Sequence, residues 1–149
     1  MIIDRENTFD WNAALTVGRA STNIIDLVAN RELGESLAMN PHLKIMVSPD
    51  TALVSGGLST LTVSFQGSTD GSTWDTYGVT PAIAKADLAV GRAINVPWSH
   101  RPPGKGMPKQ VRLNYTVGTT DFTGGTISAY VVLDTQDNTA YGAAVTVQN

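Results

Sequence analysis

The tightest constraint on this chain is a two-residue alternation of apolar and polar side chains. In Gln110–Gly118, Val111, Leu113, Tyr115 and Val117 fall on one side and Gln110, Arg112, Asn114 and Thr116 on the other. That is the pattern of a strand with one face in a core. The period returns at Leu61, Val63 and Phe65, at Ile94, Val96 and Trp98, and at Ile127, Ala129, Val131 and Leu133. Breakers separate these runs: Asn40-Pro41, Ser48-Pro49-Asp50, Gly56-Gly57, Asp70-Gly71, Thr80-Pro81, Pro102-Pro103-Gly104 and Gly124-Gly125. Short strands between turn residues predict an all-β fold. Eight strands are expected near residues 13–17, 23–28, 42–48, 58–67, 73–79, 92–98, 110–118 and 125–134.

The chain has 149 residues, enough for one domain, and a globule of this size hides roughly 70% of its unfolded surface. It has no cysteine, so packing and strand pairing must supply the stability without disulfides or thiolate metal sites. The opening residues MIIDRENTFDW lack a basic segment followed by an apolar one, and no apolar run approaches the roughly 18 residues of a spanning helix. A soluble protein with no membrane partner is the expectation. The net charge of −3 argues against a nucleic-acid partner, because such binders need a basic footprint. Charge is nonetheless uneven. Residues 100–112 hold Arg101, Lys105, Lys109 and Arg112 with no acid, which suggests a docking element.

Three local features carry further expectations. Asp70-Gly71 lies between two strand patterns and suits a tight antiparallel hairpin, with Trp74 covering it or inserting between sheets. GTTDFTGG, residues 118–125, suggests a second hairpin, with Phe122 at its tip either tucked onto the sandwich or projecting toward a partner. Helical excursions are conceivable at residues 31–39 and 82–88, although Gly34 and the β-branched residues weaken the first.

No residue set is spaced for catalysis. His42 and His100 belong to no metal-ligand motif, and no nucleophile elbow is present. Asp50, Asp70, Asp121, Asp134 and Asp137 neighbour turn residues, where a short carboxylate bonds its own backbone. Residues 68–74, Ser-Thr-Asp-Gly-Ser-Thr-Trp, look like the Asp-box turn with one spacer missing, which is chiefly a structural element. The expectation is a protein that is not an enzyme and needs no cofactor or metal.

Several segments together resemble the jelly-roll capsid cement (decoration) proteins of tailed bacteriophages, the short-tailed ones in particular. They are MIIDRENTF at the start, residues 20–27, Leu61 to Gln66 with the Ser-Thr-Asp-Gly turn, residues 86–91, Val111 to Val117, and Gly125 to Tyr130. The resemblance spans nearly the whole chain and implies a single-domain jelly-roll β-sandwich of about eight antiparallel strands. It also implies a homo-oligomer, dimer or trimer, on the outer capsid surface of the virion. Such a protein is made in the host cytoplasm and bridges subunits of the major capsid protein. Residues 1–10 are expected as an N-terminal arm and residues 135–149 as a C-terminal tail, both departing from the sandwich.

Three contact elements follow. Arg101, Lys105 and Lys109 could meet acidic capsid surface. Ile2, Ile3 and Phe9 would belong to a reaching arm. Tyr141, Val145 and Val147 lie in a β-prone tail that could add a strand to a neighbour's edge. The alternative from another class is a carbohydrate-binding β-sandwich module on the virion surface, for which Trp11, Trp74 and Trp98 are too dispersed to suggest a planar row.

Overall fold

A computed structural model describes residues 5–27, 44–97 and 108–132. After a 3-10 turn at Arg5–Asn7, these residues form ten strands: β1 (Thr8–Ala14), β2 (Arg19–Ala20), β3 (Ile25–Asp26), β4 (Lys44–Val54), β5 (Thr60–Ser68), β6 (Asp75–Val79), β7 (Ile83–Ala84), β8 (Ile94–Val96), β9 (Gln110–Gly118) and β10 (Gly124–Val132). They make two antiparallel sheets, one ordered β1-β10-β4-β8 and the other β2-β9-β5-β6, with β3 also on β9 and β7 also on β5.

The pairing is nested. β1 pairs with β10, β2 and β3 with β9, β4 with β8, and β5 with β6. The chain therefore runs as a long ribbon, doubled back at the β5–β6 turn and wrapped so that β10 also meets β4 and β9 also meets β5. That is the jelly-roll arrangement. Because β2 and β3 share one edge and β6 and β7 another, the ten strands occupy eight positions, as the alternating pattern predicts.

The alternation places the core. Leu61, Val63, Leu113, Tyr115, Val47, Ile127 and Phe9 are at most 1% exposed, and Phe122, Val111 and Leu15 pack among them between the sheets. Polar partners on the same strands, such as Thr62, Ser64 and Asn114, face outward by the two-residue rule.

The first strand departs from the expectation. β1 covers Thr8–Ala14 rather than residues 13–17, so it begins inside the segment expected as an arm. Two register shifts, between Thr8 and Asp10 and between Asp10 and Ala13, break its period. Such bulges hide a strand from a pattern search. Likewise Ser48-Pro49-Asp50 reads as a break but lies inside β4. Ile127 pairs with Pro49 and Thr126 with Thr51, leaving Asp50 as the extra residue of a bulge, a position that tolerates proline.

The expected second hairpin is not one. β9 and β10 belong to different sheets, and residues 119–123 cross between them. Phe122 anchors the crossing, buried at 2% exposure, with its N–H donating to Thr16 O at 2.9 Å. The 82–88 excursion becomes β7 followed by a 3-10 turn at Lys85–Asp87. The 31–39 segment and Trp98 lie outside the described residues.

β5 and β6 do pair antiparallel, Gly67 opposite Asp75, but the connection is wider than a two-residue hairpin. Gly71 alone in it takes a positive φ, 76°, whereas a tight turn of the expected kind needs two such residues. The Asp70 carboxylate organises the loop, accepting from Ser72 N at 2.8 Å, Thr73 N at 2.7 Å and Ser68 Oγ at 3.0 Å. The backbone N–H groups of Thr73 and Ser72, then the Ser68 hydroxyl, hold this carboxyl well below the usual carboxylate range. A depressed folded value contributes stability above the unfolded value and loses it as pH falls. The melting-temperature gap between the protein and Asp70→Ala should hold constant near neutral pH and shrink below about pH 4. A gap that widens in acid would contradict this role.

Candidate docking surface

Strand direction and register fix which end of the sandwich each contact element adjoins. Lys44 opens β4 opposite Val132, the last residue of β10, and Val96 closes β8 opposite Ile45. Thr8 opens β1 opposite Tyr130. In the other sheet, Gln110 opens β9 opposite Asp26, the last residue of β3, and opposite Ser68. The far ends of both sheets are joined to each other, because residues 119–123 carry β9 into β10 and residues 55–59 carry β4 into β5. All the residues just named therefore share the opposite pole.

That pole is where the described chain meets every segment outside it. Arg5, Leu27, Lys44, Pro97, Pro108 and Val132 flank residues 1–4, 28–43, 98–107 and 133–149. Arg101, Lys105, Ile2, Ile3, Tyr141, Val145 and Val147 lie outside the described residues. Lys109 is described, exposed at this pole, with its N–H on Ser68 O at 2.8 Å and its carbonyl accepting from Leu27 N at 2.7 Å. The sequence treats the three elements separately, while the topology puts the described residues that flank them at a common pole.

Phe9 corrects the expectation. Its side chain is 0% exposed in the core of β1, leaving no surface to offer a partner. Its neighbour Asp10, also 0% exposed, faces inward and anchors a network that pattern reading missed. Asp10 Oδ2 accepts from Tyr115 Oη of the opposite sheet at 2.7 Å, and Oδ1 accepts from Arg19 Nη1 at 3.0 Å and from Thr22 Oγ1 at 2.6 Å. The Arg19 guanidinium carbon lies 5.3 Å from the Tyr115 ring centroid. Burial, reinforced by the Asp10 charge, pushes the Tyr115 hydroxyl well above its ordinary pKa, so it remains a donor. Every oxygen of this carboxylate is engaged by the protein itself, which makes it a cross-sheet tie and leaves it without the open approach a reacting group needs.

The sheet edges are blunted. Asn23 caps β1, its N–H on Phe9 O at 2.9 Å and its side chain on Thr8 O at 3.2 Å. β2, β3 and β7 have two residues each and β8 three, followed by Pro97. Short, capped or proline-flanked edges resist strand addition, so most of the described edges offer little backbone to a tail seeking to extend a sheet, the five-residue β6 being the exception. Among the described residues no group of His, Asp or Glu could hold a metal ion, and no helix is long and apolar enough to cross a membrane.

The family model named Bbp16 matches residues 9–131, from the second residue of β1 almost to the end of β10. The chain belongs to the Bbp16 family. No curated protein matches the sequence. For this Bbp16 member, the matched region spans the ten strands from Phe9 to Val131 and includes residues 28–43 and 98–107, whereas residues 1–8 and 132–149 lie outside it.

Proposed function

We propose that this Bbp16 protein is a capsid cement protein without enzymatic activity, a homo-oligomer on the outer surface of an expanded phage head that bridges major capsid protein subunits. Membership of the Bbp16 family supports the phage setting. The observation that carries the reading is the one-ended layout: the chain positions flanking the basic segment, the N-terminal residues and the C-terminal tail all fall at one pole of a sandwich with blunted edges. A block of this design engages a surface with one end and leaves its sheets intact.

The mechanism is linkage. A ligand that binds only the assembled shell adds its binding free energy to the stability of that shell. Symmetric repetition makes each further contact intramolecular, so modest affinity per site becomes durable attachment. Arg101, Lys105 and Lys109 would steer the encounter with acidic capsid surface, an effect weakened by salt.

Imaging purified expanded heads with and without added protein tests the role itself, and density at symmetry-related positions is the expected result. Heads that never acquire density would reject it. Changing Arg101, Lys105 and Lys109 together to Glu should abolish co-sedimentation with such heads at low salt. Undiminished binding by that variant would remove the basic segment from the contact.

A further inference from the structure

We propose that the outer face of the β2-β9-β5-β6 sheet binds an acidic glycan, with Arg112 gripping a sugar carboxylate. Arg112 lies two residues along β9 from the pole assigned to the shell, on the outward face of the sheet, and the proposal does not depend on that assignment. Across the two central strands, Thr62 faces Thr116, Ser64 faces Asn114 and Gln66 faces Arg112. All six point away from the core, because their neighbours Val63, Phe65, Leu113 and Tyr115 fill it.

Arg112 is fixed before any ligand arrives. Its Nε donates to Gln66 Oε1 at 3.0 Å, and its guanidinium carbon lies 4.0 Å from the centroid of the Trp74 ring. One hydrogen bond and one stacked ring set the plane of the fork. The two terminal nitrogens bond nothing among the described residues and remain free for a planar, bidentate acceptor. A carboxylate matches that geometry. Beside it, the side chains of Ser64, Asn114, Thr62 and Thr116 make no hydrogen bond among the described residues, so their donors and acceptors are unspent.

Charge and polarity select the occupant. Arg112 is the one charged side chain on β5 and β9, too little for a polyphosphate backbone, which needs a series of cations. These two strands present no large apolar side chain outward, and beside them Val79 of β6, opposite Ser64, is a single half-exposed apolar residue, short of the apolar centre typical of a protein interface. Hydroxyls and amides with a single fixed guanidinium fit a polyhydroxyl ligand that carries spaced carboxylates, such as a uronic-acid polymer.

Titration calorimetry with an oligogalacturonate and with its carboxyl-reduced counterpart tests the proposal. Saturable binding is expected for the first, weaker by about ten-fold or more for the second, and similarly weaker for Arg112→Gln, as for loss of a charge-assisted contact. The double variant Ser64→Ala/Asn114→Ala leaves Arg112 in place. It should bind the acidic oligomer more weakly at an unchanged melting temperature. Equal affinity for the two oligomers, wild-type affinity in Arg112→Gln, or no binding to any glycan on an array of uronic and sialic acids would overturn it. So would loss of head binding by Arg112→Gln with glycan affinity intact, which would assign this arginine to the shell.

Discussion

Replacing Asp10 by alanine should destabilise the fold by about 3–5 kcal/mol, the range for removing one partner of a buried ion pair. The carboxylate is fully buried and accepts from Arg19, Thr22 and Tyr115 at once. Its loss strands a guanidinium that is only one quarter exposed and a tyrosine hydroxyl between the sheets. In a protein of this length the melting temperature should fall by roughly 10 °C. Tyr115→Phe removes one donor and keeps the ion pair, so a smaller loss of about 1–3 kcal/mol is expected. Urea unfolding of both variants provides the check. If Asp10→Ala stays within about 1 kcal/mol of the parent, the tie between the sheets is not a significant source of stability.

Gly125→Ala should be nearly as damaging, for a reason in the backbone. Gly125, the second residue of β10, has φ 124°, and a Cβ there would lie 2.6 Å from Leu53 Cδ2, 2.7 Å from Ala52 O and 2.8 Å from Leu53 Cα. Two of those three atoms are main chain and cannot swing aside. Backbone strain and overpacking each cost about 1–3 kcal/mol, and here they add in one residue. Two other glycines separate the causes. Gly91 shares a positive φ, 76°, but has open space around its would-be Cβ, so alanine there meets strain alone. Gly56 has open space and no positive φ, so Gly56→Ala should be close to neutral. If all three alanine variants melt together, the close approach of β10 to residues 52–53 is not what requires glycine.

Alternation made the central strands legible. Leu61 to Gln66 and Val111 to Val117 show an unbroken period, and both turn their odd-numbered residues to the core as read. The missed features all involve a departure from that period or a partner far along the chain. β1 hides because its bulges put Phe9 and the charged Asp10 both inside, and a buried carboxylate argues against a core strand until its donors are known. Those donors stand up to 105 residues away, beyond any local pattern. The same distance problem made residues 118–125 look like a hairpin, since two neighbouring strands joined by glycines read alike whether they pair or part.

The candidate surfaces divide in the same way. Lys109 was legible as an exposed cation near a basic run, whereas the shared pole of the described residues flanking the contact elements follows only from register. Arg112 was counted as one more charge in that run. Its distinction lies in the ring above it and the amide across from it, which belong to β5 and to the turn that follows. The sequence expects Trp74 to cover that turn or insert between the sheets, and the structure places its ring against the Arg112 guanidinium.

The nested ribbon also sets a schedule for synthesis. β1, the first described strand, has β10, the last, as its one neighbour in the sheet, so the amino-terminal strand emerges from the ribosome long before its mate has been made. Such distant closure places the protein among slow folders, on the order of milliseconds to seconds. Until Val132 is clear of the exit tunnel, the apolar side of that first strand depends on the cell to keep it from other nascent chains.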